Sequence, residues 1–178
     1  LDPFLGGLFW RAPTSFCDQT NTLLSTVLSR YSKDVRAQVF EFLLSVGANP
    51  KHPFRGVRTF VYLEQFEMAE RDLLWTEVIR SRSEGSAVNR LVQWCEKWDL
   101  SKLSEDVVSD LICLLSLLLT STDRGLRDRV TKLLVRIGEV FPRSLFKHAL
   151  RTLAFSDPYV PERMLAACYG VAMSQWTF

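Results

Sequence analysis

An apolar stripe within residues 121–142, STDRGLRDRVTKLLVRIGEVFP, limits what this chain can fold into. Leu126, Val130, Leu133, Leu134 and Ile137 recur at the spacing of one face of an α-helix, and Gly138 closes the series. The same spacing occurs 91 positions earlier, at Val35, Val39, Phe42, Leu43 and Val46, again closed by a glycine, Gly47. It occurs once more 34 positions later, at Val160, Met164, Ala167, Cys168 and Val171. Each stripe is preceded by Ser or Thr and Asp, in SKDVR, STDRGLR and SDPYVPER. Such side chains satisfy the free N–H groups of a first helical turn, and a carboxylate there complements the helix dipole. Arg36 and Arg127 follow the first apolar residue directly. The third stripe departs, with Pro161 in that place and Arg163 two residues on, and a proline is tolerated in a first turn.

The rest of the chain follows the same period. Apolar spacing and breakers predict helices over about 17–31, 34–46, 54–66, 68–82, 86–98, 104–120, 123–140, 143–154 and 158–174. GANPKHP, residues 47–53, is a clear break, with Gly47 suited to the position after a helix and Pro50 and Pro53 blocking continuation. Ser104 is placed to cap the helix that begins SEDVVSDL, and that helix is apolar nearly all round, so it is expected at the centre. No strand pattern competes. The predicted fold class is all-α: an α-solenoid of antiparallel helix pairs, about nine helices, of the HEAT or TPR kind. Residues 1–16, with Gly6, Gly7 and two prolines, are expected to be an irregular lead-in, and residues 17–178 one helical repeat array. Each pair has an apolar face it cannot bury alone, and stacking pairs buries it. Three unrelated helices in an irregular bundle would give the same stripes, and residues 47–122 follow the repeat less well.

Composition narrows the function classes. Of 178 residues, 47% are hydrophobic and 24% charged, with a net charge of +2, so no global field points to a nucleic acid or a membrane. The longest apolar run, LICLLSLLLT, is too short to span a bilayer. Cys17, Cys95, Cys113 and Cys168 form no CxxC pair, and the last three sit inside apolar helical patterns. They are expected as buried free thiols in a reducing compartment, hence a cytoplasmic location. With only His52 and His148 besides, no metal site is expected. No G-x-x-x-x-G-K-[ST] loop, no HExxH and no Ser/His/Asp or Cys/His arrangement is present, so the sequence points to no catalytic residues and no cofactor. The chain begins at Leu1 without a signal-peptide pattern and is expected to be a piece of a longer protein.

The start of the first stripes, Asp–Val–Arg leading into an aliphatic helix, resembles HEAT-type repeats. LLLTSTDRGLRDRVTKLLV (117–135) and DPYVPERMLAACYGVAMS (157–174) resemble the helical repeat region of large bacterial STAND NTPases. These are NACHT-like proteins that include antiviral members sensing phage components. HPFRGVRTFVYLEQFEMAERDLLW (52–75) and AVNRLVQWCEKWD (87–99) look like the same group, so the likeness covers most of residues 50–174. Such proteins join an effector, a nucleotide switch and a C-terminal helical sensor. The resemblance implies that this chain is sensor: a non-catalytic recognition or scaffold segment. Its partner would be a protein, either a phage component or neighbouring domains.

Charge concentrates in one region. Residues 123–151 hold eight basic and three acidic side chains, a net +5. Arg129, Lys132 and Arg136 form one helical stripe, and Arg143, Lys147 and Arg151 form a second on the next helix. These six are the candidate partner-binding residues. Two adjoining basic stripes would suit an acidic protein or a nucleic-acid backbone, and a nucleic-acid-binding helical array is the alternative reading. Polar faces of amphipathic helices are charged by default, and no aromatic residues interleave as single-strand binding requires. Asp128 and Lys132 form an i, i+4 pair worth about 0.3 kcal/mol. Phe54, Phe60, Tyr62, Phe66 and Trp75 would form either a recognition groove or the packing between helix pairs. His148, next to Lys147, is expected at the surface. A small helical enzyme is the third reading and lacks any acid–base or metal constellation.

Overall fold

The computed structural model describes residues 7, 8, 10–30, 32–80 and 85–176, and among these the chain is helical with no strand. Nine helices follow in order: α1 Asp18–Arg30, α2 Lys33–Val46, α3 Gly56–Glu64, then α4. The α4 segment is composite, Met68–Arg71, a π-helical turn Asp72–Thr76, and Glu77–Arg80. The series continues with α5 Ala87–Lys97, α6 Glu105–Leu118, α7 Arg124–Val140, α8 Pro142–Thr152 and α9 Tyr159–Ser174. Short 3₁₀ turns at Pro13–Ser15 and Leu100–Lys102 precede α1 and α6. Of the expected lead-in, residues 1–6 and 9 lie outside the described residues, while Leu8 is buried in the core.

The caps explain where several helices begin. Asp123 accepts a bond from Leu126 N at 3.2 Å and opens α7, as its position before the stripe predicts. Ser86 does the same for α5 by accepting from Asn89 N at 3.3 Å. Ser104 stands at the N-cap of α6, but its side chain makes no capping bond, and Glu105 and Asp106 supply the first-turn negative charge instead.

Packing arranges the helices in two rows. In one, α2 lies on α5, α5 on α7, and α7 on α9; in the other, α3 lies on α6 and α6 on α8. The last two hairpins pack together, α8 on α6 and α9 on α7, and α4 packs against α2 outside this order. As its composition predicts, α6 is central: Leu111 to Leu118 is buried without interruption, against α3, α7, α8 and α9. The three stripes point inward. Leu126, Val130, Leu133, Leu134 and Ile137 are buried, as are Val160, Met164, Ala167, Cys168 and Val171. In α2, Val39, Phe42 and Leu43 are buried, but Val35 and Val46 are only half-buried, because this helix lies near the end of its row and is covered less completely.

Two glycines let the α2–α3 connection touch α6. Gly47 has right-handed backbone angles, φ −64° and ψ −24°, so its role is not the left-handed helix stop the sequence suggests. A Cβ there would lie 2.8 Å from Leu114 Cδ1. Gly56 donates its N–H to the Gly47 carbonyl at 2.7 Å, and a Cβ on it would collide with the backbone carbonyl of Asp110. Backbone against backbone cannot yield as a flexible side chain can. Gly56→Ala is therefore expected to lower stability by roughly 2 kcal/mol or more in urea denaturation. Gly85→Ala, where an added Cβ meets nothing within 4 Å, should be neutral or stabilising by about 0.5 kcal/mol. Equal effects at the two sites would show that the α3–α6 approach is loose.

Candidate functional site

The six basic residues divide between the two rows. On α7, Arg129 reaches across to α5 and grips the Glu96 carboxylate with two bonds of 2.9 Å, holding that carboxyl below its usual range. Arg136 donates to the carbonyls of Cys95 and Glu96, at 3.5 and 3.1 Å, and so satisfies the C-terminal turn of α5. On α8, Arg151 forms a bidentate pair with Glu64 of α3 and lies over the Phe60 ring, 4.9 Å from its centre. Lys132, Arg143 and Lys147 are exposed. The α7 stripe thus faces α5 while the α8 stripe faces α3, and the two do not merge into one basic surface. Asp128 pairs with Arg163 of α9 at 2.6 Å and with Arg124 at 3.6 Å, rather than with Lys132 as the i, i+4 spacing suggests. The tertiary partner supplied by the stacked helix wins over the local one.

Lys147 and Arg151 line a cleft of about 430 Å³ between α3, α6 and α8. Glu105 and Asp106, from the first turn of α6, line it as well, and Cys113 and His148 reach its floor. Its wall at α3 is fixed by an ion pair: Arg55 Nε lies 2.9 Å from both oxygens of Asp110, which is fully buried, and Val57 N donates to Asp110 at 3.0 Å. That hydrogen bond raises the Arg55 guanidinium above its ordinary pKa.

His148 is buried, contrary to its expected place at the surface. It lies with Leu145, Ala149 and Thr152 on the inward face of α8. Ser116 Oγ donates to the Cys113 carbonyl at 2.8 Å, which leaves Oγ to accept from His148 Nε2 at 2.9 Å. His148 Nδ1 then accepts from the Cys113 thiol at 3.6 Å. Burial, aided by the charge of Arg151, pushes His148 down to about 4, and burial pushes the Cys113 thiol up to about 12. A neutral imidazole beside a protonated thiol is a closed hydrogen-bond circuit, not an activated nucleophile.

Sequence reasoning missed a second buried pair. Arg71 is fully buried, donates to Ser156 Oγ at 2.8 Å and Phe66 O at 3.2 Å, and lies 4.3 Å over the Phe155 ring. Its Nη2 stands 3.9 Å from Asp157, whose carboxyl burial pushes up. The signal was present: Arg71 falls on the same face as Leu74, Trp75 and Val78. The aromatic cluster at 54–75 divides: Phe60 and Trp75 are packing, the Trp75 indole donating to Leu117 O at 3.0 Å, while Phe54 and the half-buried Tyr62 line a cleft of about 270 Å³ with Leu24, Leu28 and Val61. Cys95, Cys113 and Cys168 are buried free thiols, and Cys17 is exposed. Among the described residues, no group of three or more side chains is placed to hold a metal ion, and no helix is long and apolar enough to cross a membrane. No family model, curated protein or solved structure matches the chain.

The low pKa of His148 makes stability sensitive to acid. The unfolded chain takes up this proton near 6.5 and the folded one only near 4, so stability is full above 6.5 and falls between those values. The loss from this residue is about 3 kcal/mol at most. His52, also lowered by burial, adds to the slope. His148→Gln is expected to flatten the stability profile between pH 6.5 and 4 in denaturant titrations; an unchanged slope would mean His148 is not held neutral.

Proposed function

We propose that this chain is a non-catalytic recognition and scaffold segment, the helical sensor part of a larger signal-transducing NTPase of the bacterial STAND, NACHT-like kind that acts in antiphage defence. In this reading the helices form a HEAT-like α-solenoid in the cytoplasm and need no cofactor. The ligand is a protein, either a phage component or a neighbouring domain. The likeness of residues 52–75, 87–99, 117–135 and 157–174 to that group supports the class. The stacking of α8 on α6 and α9 on α7 supports the repeat.

The cleft between α3, α6 and α8 carries the choice of ligand. It sets Lys147 across from Glu105 and Asp106, with Arg151 beside it already held by Glu64, a mixed lining that suits a folded polypeptide with both signs of charge. A phosphate backbone would meet the two carboxylates. The nucleic-acid alternative also loses Arg129 and Arg151 to Glu96 and Glu64.

Fluorescence anisotropy with labelled duplex DNA and single-stranded RNA separates the two. The chain is expected to show no binding up to about 10 µM protein at 100 mM salt. Micromolar or tighter binding that weakens steeply with salt and is lost in the Lys132→Glu, Arg143→Glu, Lys147→Glu triple variant would replace this reading with the alternative. Reading the coding sequence 5′ of Leu1 tests the class: a phosphate-binding G-x-x-x-x-G-K-[ST] loop is expected, and an open reading frame without one contradicts it.

A further inference from the structure

The outer face of α9 is built unlike the polar face of an ordinary surface helix. Residues 164–176, MLAACYGVAMSQW, contain no charged side chain. Inward, Met164, Ala167, Cys168 and Val171 are buried, while outward Leu165, Tyr169 and Met173 are 53%, 68% and 49% exposed. The end of α8 also exposes Leu150, as well as Leu153, the residue just after the helix. A helix apolar on both sides is one that another element covers, and an exposed apolar patch of this kind marks an interaction surface.

The interface already formed by α9 shows what kind of element fits. On α7, Asp128 takes Arg163, Val135 lies against Gly170, and Gly138 lies against Val171, where a Cβ would come within 2.6 Å. Moving these three α7 positions on by the 34-residue offset of the stripes lands on Glu162, Tyr169 and Ala172, all exposed. The surface that α7 uses to receive a helix is therefore the surface that α9 leaves open.

We propose that a second copy of this chain covers it, α9 against α9 about a two-fold axis through Tyr169. Within four residues the outward positions are arranged symmetrically about it, and seven to either side Glu162 of one copy would meet Trp176 of the other. Leu165 and Met173, four residues to either side, are both large and apolar, and would face each other across the axis. Ala166 and Ala172, three to either side, are both small and exposed, and leave room for the tyrosine of the other copy. With no charge between 164 and 176, joining two identical faces brings no like charges together.

Sedimentation velocity on the 178-residue chain, from about 1 to 100 µM, tests this. A reversible dimer is expected, and Tyr169→Glu should raise its dissociation constant at least about tenfold while leaving the circular-dichroism melt unchanged. Met173→Lys serves as a second variant should Tyr169→Glu misfold. In a Cys17→Ser background, Tyr169→Cys should oxidise readily to a covalent dimer, and Leu165→Cys, set off the axis, more slowly. A chain that stays monomeric over this range overturns the proposal, including one that binds only some other helical protein. So does a dimer indifferent to both α9 variants, or cross-linking as fast through Leu165→Cys as through Tyr169→Cys.

Discussion

Burial of α6 on every side is the constraint from which the rest of the fold follows. The run Leu111–Leu118 has no exposed face, so four other helices must meet around it, and α3, α7, α8 and α9 do. This buried run takes apolar surface from water on every side of the helix, and such burial is the main favourable term in folding. It also raises a polar problem, because a helix buried all round over this stretch cannot leave its terminal carbonyls or its buried carboxylate, Asp110, to solvent. The Trp75 indole and the Thr120 hydroxyl both donate to Leu117 O, and Arg55 and Val57 N satisfy Asp110. Trp75, Arg55 and Val57 come from other parts of the chain and so set a register between elements. A carboxylate buried in this way is costly to strand, which ties the start of α3 firmly to α6.

Arginine is the residue that ties one helix to another. Arg136 covers the last carbonyls of α5, Arg127 donates to Ser121 O while lying 4.2 Å over the Tyr159 ring, Arg151 joins α8 to α3, and Arg71 joins α4 to the turn before α9. The planar, multi-donor guanidinium suits this work, since one side chain can bridge a carboxylate, a carbonyl and an aromatic face at once. The basic surplus of residues 123–151 is thus spent largely inside the molecule. Lys132, Arg143 and Lys147 remain outward, and of these only Lys147 borders the cleft.

Among the described residues, nine helices were legible from apolar spacing and breakers, within about two residues at the ends that can be compared (the expected ends at 31 and 82 lie outside the described residues), because 3.6-residue periodicity and Pro or Gly interruptions are local signals. The central place of α6 was legible for the same reason. Which tertiary partner a polar side chain takes is not local. Asp128 has Lys132 one turn away but bonds Arg163 of a stacked helix. Gly47 carries no sign that Leu114 will lie against it. His148 could have been read, since it shares a face with Leu145, Ala149 and Thr152, but its lysine neighbour suggested solvent. The π turn in α4, which lets Leu74, Trp75 and Thr76 all be buried, leaves no mark in the period. The mixed charge of the cleft arises only when α6 and α8, 34 residues apart, are laid side by side.

Native-state hydrogen exchange tests the central claim most directly. If α6 is the element around which the others assemble, the amides of Leu111 to Leu118 should exchange only through global unfolding, with protection equal to the full stability and the same dependence on denaturant. Amides of α1 and α9, the first and last of the described helices, should exchange earlier through local opening. Exchange of the α6 amides at lower free energy than those of α9 would contradict the account and place the core elsewhere.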